Sequence, residues 1–316
     1  MISCTEFIPL YSEFFKYLEA QNGPDAVMEY WYHISDNSIG DKTNPHSLAS
    51  FIERSDDPFE GAVNYWRHTL TEEACDLFCV IDHEKKQRYS HMRHCPSRGM
   101  LNALEHVEPY HNYCEHCNVI YQRVLDNYGV QMDMDFSKID NAECGSYLYM
   151  KGHPPTEDCH IPDDTKEIID MKPEDNKYLH RDFHLLGDMA LTYCGDKYGD
   201  EAVIGFLTTY VKNYYAPQIE DIKKRGLLAI KEWIEDVYER EESTDLLHTE
   251  LTDNSLTVTI DKSPVIEYMH SLNQEPGRYY DQQTKTLYKV IAESAGFRFD
   301  LAYYNEDGGT KFTFTA

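Results

Sequence analysis

Leu10, Phe14, Phe15 and Leu18 recur with a period near 3.6, the mark of a helix that buries one face. Asn22-Gly23 interrupts that pattern. Pro24 suits the first position of a new helix, and Ala26, Val27, Tyr30, Trp31 and Ile34 form its apolar stripe. Residues 37–58 are polar, carry Gly40, Pro45 and Pro58, and read as a loop. Helices are expected over 59–69 and 72–81, and a strand over 87–93. Two further helices are expected over 97–106 and 111–128, the second stopped by Gly129. QMDMDF (131–136) then alternates, and ECGSYLYM (143–150) reads as its return strand.

Pro154, Pro155, Pro162, Pro173 and many acids mark residues 153–177 as a linker. Helical patterning resumes at Tyr178 and persists to about residue 241, with breaks at Gly199 and near Pro217. LTVTI (256–260) is a strand, Ser263-Pro264 opens a helix, and another helix covers 281–295 before Gly296. FRFDLAYY (297–304) and TKFTFTA (310–316) close the chain as a hairpin. The expected fold class is α+β. A cysteine-rich unit spans 1–152 and a cysteine-poor unit spans 178–316, each a helical layer on a small antiparallel sheet with a terminal hairpin.

The element order suggests an internal duplication. Displaced by 167 residues, Tyr121 meets Tyr288, Gly129 meets Gly296 and Asp133 meets Asp300. Displaced by 176, Leu10 meets Leu186, Gly23 meets Gly199 and Val27 meets Val203. The correspondence fails at the sulfurs, since Cys95 becomes Ser263 and Cys117 falls opposite Thr284.

Charge narrows the classes of partner. The 316 residues carry 29 Lys and Arg against 56 Asp and Glu, a net charge of −27. Such a surface repels nucleic-acid phosphates and anionic membrane headgroups, so neither partner is expected. No run of apolar residues is long enough for a transmembrane helix. MISCTEFIPLYSEFF lacks the basic region of a secretory signal. With nine cysteines, an odd number, a reducing cytoplasm is the expected setting. A homo-oligomer is compatible with this composition.

All nine cysteines lie within the first 194 residues, and the densest group of ligating side chains is HMRHCP (91–96) with HNYCEHC (111–117). Cys95 stands immediately before a helix start, where the helix dipole favours a thiolate. One reading makes Cys95 a nucleophile beside Cys144, with His184 as the base and His180, Tyr113 and Cys117 contacting a small-molecule substrate; no cofactor is then needed. In the alternative, Cys95, Cys114, Cys117 and Cys144 are four soft ligands for zinc. A set of reduced, semi-buried structural thiols is an equally open reading. HRDFH (180–184) is expected on a helix, with His180 and His184 sharing a face at i, i+4.

At these residues the chain resembles a known family. CPSRGML, YCEHC, DNYGVQMDMDF and NAECGSYLY in the first unit are similar to motifs of the L-2-amino-thiazoline-4-carboxylic acid hydrolase family, and HRDFHLLGDMALTYCGDKYGDEAV resembles that family's leading helices. The resemblance implies hydrolysis of a cyclic C–N bond with cysteine involved. Helices and a hairpin with cysteine-bearing ends also resemble vinyl-reductase-type small-ligand domains. That likeness implies a non-enzymatic ligand- or zinc-binding module.

Overall fold

A computed structural model describes residues 1–316. The chain folds into two compact units. One comprises residues 18–180, and the other combines residues 1–17 with 181–316. Helix α1 (Phe7–Asn22) runs across the boundary in the chain. The fold is α+β, as the periodicities require. No helix is long and apolar enough to cross a membrane.

In the unit of residues 18–180, α2 (Pro24–Ile34) starts with proline at its first position. It is followed by α3 (Leu48–Glu53) and α4 (Pro58–Glu72). Helix α3 lies in the stretch expected as loop. Ser47 starts it by accepting the Ser50 backbone N–H, and it buries Leu48, Ala49 and Ile52. Strands β1 (Asp76–Asp82) and β2 (Gln87–His94) form a hairpin. Helices α5 (Pro96–Ala103) and α6 (Glu115–Leu125) follow, then β3 (Val130–Asp135), β4 (Cys144–Met150) and β5 (Glu167–Met171). The sheet runs β3-β4-β2-β1-β5, antiparallel throughout.

Two expectations change here. The separate helix expected over 72–81 does not form: α4 runs on to Glu72, and Asp76–Asp82 is strand β1. Leu77, Cys79, Val80 and Ile81 are all buried, so β1 is an inner strand covered on both faces. A short apolar run of this kind has no period that separates strand from helix. The expected linker 153–177 contributes β5, which pairs with β1 along Leu77–Ile81. Its EIIDM is short, acidic and without polar–apolar alternation, and so escapes a pattern search at this sheet edge.

In the other unit, four helices follow one another after residue 181: α7 (Asp182–Tyr198), α8 (Asp200–Tyr214), α9 (Ala216–Arg225) and α10 (Leu227–Arg240). Then come β6 (Leu247–Leu251), β7 (Ser255–Ile260), α11 (Pro264–Ser271), α12 (Gln282–Ala295), β8 (Arg298–Tyr304) and β9 (Thr310–Thr315). The sheet runs β6-β7-β9-β8. Strand β6, half exposed and without alternating apolar residues, was not expected. Leu256, Val258, Phe312 and Phe314 turn inward from β7 and β9. They meet Tyr288 of α12, whose ring lies 4.7 Å from that of Phe312. The opening residues complete this core: Phe7 stacks on Phe183 at 4.7 Å, and Phe14 meets Phe206 edge-on at 4.8 Å.

The strand order β1-β2-β4-β3 in one unit equals β6-β7-β9-β8 in the other. Two helices separate the second and third strands in each. Gly296 stops α12, and Gly129 stops the 3-10 turn Asp126–Tyr128 that extends α6, both in the left-handed conformation, with φ of 90° and 67°.

Candidate functional site

The cysteines of the first hairpin and helices come together at one end of the five-stranded sheet. Strand β2 ends at His94, and the Cys95 backbone N–H donates to the Ala142 carbonyl at 2.6 Å, just before β4 begins at Cys144. Cys144 itself pairs with Met92. Helix α6 brings Cys114 and Cys117 to the same place. All four side chains are half-buried and none is in a disulfide.

Their electrostatics show the convergence. Burial pushes the Cys95 thiol up, and negative charge on Cys144, Glu73 or Cys114 pushes it further, although the Arg98 N–H opposes this. Cys117 is raised by burial and then by Cys95, Cys114 and Cys144. Cys144 rises to about 11 through burial, Cys114 and Asp135. Burial and these neighbours thus oppose the thiolate that the helix start at Cys95 favours. Removal from water outweighs a dipole effect of under about 2 kcal/mol.

Cys117 has a histidine beside it. The His116 ring lies against the Tyr113 carbonyl through Nδ1, and Nε2 is 3.6 Å from Cys117 Sγ. A carbonyl only accepts, so Nδ1 carries the proton and Nε2 is left to accept from the thiol. Burial holds His116 neutral, lowering it to about 4. Tyr113 acts here through its backbone; its side chain is packed inside, against the His116 ring.

Sequence reasoning missed Glu73. It caps the C-terminal end of α4, where a negative charge is unfavourable. Burial raises its carboxyl, His180 draws it down, and Glu72 raises it. Its charge is felt by Cys95, Cys117 and Tyr121. Tyr65, Trp66 and Tyr121 form an aromatic cluster beside it, with ring centroids 5.4–5.9 Å apart. Nothing in the local pattern of EEACDLF distinguishes Glu73 from a surface acid.

The two histidines of HRDFH do not share a helix face. His180 precedes α7, which begins at Asp182, and its Nδ1 lies 2.6 Å from Glu72 in the unit of residues 18–180. His184 sits in the first turn of α7, and its Nε2 lies 2.9 Å from Glu241 Oε2. Glu241 Oε1 accepts the Ser3 hydroxyl and the Cys4 N–H, each at 2.7 Å. Burial opposes ionisation of Glu241, but the His184 charge and the donated hydrogen bonds prevail, setting it at about 2. The Cys4 sulfur, a His184 ring nitrogen and a Glu241 oxygen lie within 4.8 Å of one another, all in buried residues. A cleft of about 390 Å³ opens beside them, lined among others by Arg181, His184, Glu241, Lys262 and Tyr268.

No family model matches the chain, and no curated protein or solved structure matches it.

Proposed function

We propose that the unit of residues 18–180 is a small-ligand-binding module centred on Cys95, Cys114, Cys117 and Cys144, whose sulfurs stand too far apart in this structure to chelate an ion and would have to draw together to hold zinc. The supporting observation is that the β2 end, the start of α6 and the start of β4 bring four free thiols to one end of the sheet. Each thiolate disfavours the next, so a cluster of this kind gains little as free nucleophiles. A divalent cation reverses the sign, because it stabilises all the thiolates at once. The donor set is all sulfur, the type that zinc favours in structural sites. When bound, the ion would supply neutralising charge and a tie between the β2–α5 corner, α6 and β4. His116, kept neutral, would accept a hydrogen bond or release Cys117 to the metal. Tyr65, Trp66 and Tyr121 pack against one another, and Tyr121 feels the charges of both Cys117 and Glu73.

The hydrolase reading asks more of these residues. It needs a Cys95 thiolate near neutral pH, whereas burial and its neighbours favour the thiol. It also needs a free His184, which Glu241 engages. The equal strand order of the two sheets supports descent of both units from one ancestor, with the thiols kept in one copy.

Metal analysis of protein purified without chelator tests the proposal. Cys95→Ser together with Cys117→Ser should lower bound zinc by one equivalent per chain relative to the parent. Equal zinc in both proteins would overturn it, as would hydrolysis of a thiazoline carboxylate abolished by Cys95→Ser in metal-free protein.

A further inference from the structure

We infer that Cys4, His184 and Glu241 form a second site for a divalent transition-metal ion of the zinc class, with an open coordination position facing the adjacent cleft. None of its residues belongs to the four-cysteine cluster, so the inference does not depend on the function proposed above.

The argument begins with donor chemistry. Thiolate, imidazole and carboxylate are the three protein ligand types of zinc, and three such ligands with a vacant fourth position characterise sites that bind water or substrate. Here one atom of each type lies within 4.8 Å of the other two. Ligands around a tetrahedral zinc stand roughly 3.2–3.8 Å apart, given bond lengths of about 2.0–2.3 Å. The 2.9 Å between His184 and Glu241 needs only a small outward adjustment.

The supporting groups are also in place. Ser3 Oγ and the Cys4 N–H both bind Oε1 of Glu241, which fixes the carboxylate plane and turns Oε2 toward His184. Hydrogen bonds to the non-coordinating oxygen orient a metal ligand in this way. The three donors come from separate elements: the turn Cys4–Glu6, the first turn of α7, and the residue after α10. Their bulk is buried, so their spacing is held by packing. An imidazole–carboxylate ion pair would by itself explain the burial of His184 and Glu241. The Cys4 thiol reaches the same carboxylate as a hydrogen-bond donor, so a third ligand type is already gathered at the pair. A divalent ion accounts for all three. Because His184 and Glu241 also line the cleft, a small ligand there would reach the ion directly.

The test uses the full chain carrying Cys95→Ser and Cys117→Ser, freed of metal by dialysis against chelator and titrated with Co²⁺. Stoichiometric uptake is expected, with a sulfur-to-cobalt charge-transfer absorption and release of the thiol proton. Adding Cys4→Ser should remove that absorption. His184→Gln should weaken Co²⁺ binding at least about tenfold, the lower end of what even indirect perturbation of a metal site costs. Circular dichroism confirms folding of each variant, and either folded variant alone decides the outcome. Absence of stoichiometric uptake by the parent double variant overturns the inference. So does a charge-transfer band that survives Cys4→Ser, or affinity that His184→Gln leaves unchanged. Loss of zinc from the four-cysteine cluster alone leaves this result untouched, so the two proposals fail separately.

Discussion

Cys95 and Ser263 occupy the same position in their two units. Each precedes a proline that opens a helix, and each side chain accepts the backbone N–H three residues on. Cys95 Sγ receives Arg98 N–H at 3.4 Å, and Ser263 Oγ receives Ile266 N–H at 3.3 Å. Capping is therefore common to both units, and the sulfur of Cys95 adds something capping does not require. In metal-free protein, Cys95→Ser should change unfolding free energy by less than about 0.5 kcal/mol. Cys95→Ala should cost about 1 kcal/mol through loss of the cap. Urea unfolding of the two variants in chelator measures the difference.

Glu241 gives an acid limb to stability. Its carboxyl lies at about 2 in the folded protein against an ordinary value of 4.5. A depressed carboxylate stabilises the fold above its unfolded value, and that contribution is lost as pH falls from about 4.5 toward 2. Glu241→Gln strands His184 and should cost roughly 3–5 kcal/mol at neutral pH. The gap between parent and variant should narrow on acidification through that window. A pH-independent gap in denaturant midpoints would contradict the assignment.

Asp188 behaves in the opposite sense. It is buried on α7, and burial raises it to about 6 although the Gly277 N–H donates to it at 2.7 Å. A raised carboxyl favours the fold below its unfolded value, so stability declines as pH climbs from about 3.8 through 6. Asp188→Asn keeps an acceptor for Gly277 and removes the charge. It should be neutral to stability at pH 4 and stabilise by roughly 1–3 kcal/mol at pH 8, on the scale of about 1.4 kcal/mol per pKa unit. Thermal melts at the two pH values check the sign.

Glu73 should restrain the thiols around it. Its negative charge raises both Cys95 and Cys117, so Glu73→Gln increases the thiolate fraction of each at alkaline pH. In metal-free protein the variant should react faster with a thiol-specific alkylating reagent at pH 8–9, by about two- to tenfold, and mass spectrometry should place the added label at those two cysteines. A slower or equal rate would remove Glu73 from the site.

The helices were legible wherever one face is buried, as with the stripes from Leu10 and from Ala26. The hairpin from Val130 to Met150 and the helix start at Cys95-Pro96 were equally clear. What escaped depends on neighbours distant in sequence. Strand β1 is apolar on both faces because both are covered, and β5 is a five-residue strand in a Pro-rich acidic stretch without clean alternation. The gathering of Cys95, Cys117 and Cys144 follows from the strand order, and so could be anticipated from their places at strand and helix ends. Glu73 and the Cys4–His184–Glu241 set could not. Their members come from elements whose spatial order no local period encodes. His180 and His184 show the converse error, since a spacing of four implies a shared face only if both lie inside one helix.

Residues 1–17 complete the core built by residues 181–316. During synthesis the ribosome delivers Phe7 and Phe14 long before Phe183 and Phe206, the rings they pack against. The middle of the chain can settle while its opening segment still waits for partners. Any factor that shields nascent apolar sequence would find that segment its longest-lived client here, and a stalled or truncated product would leave it permanently uncovered.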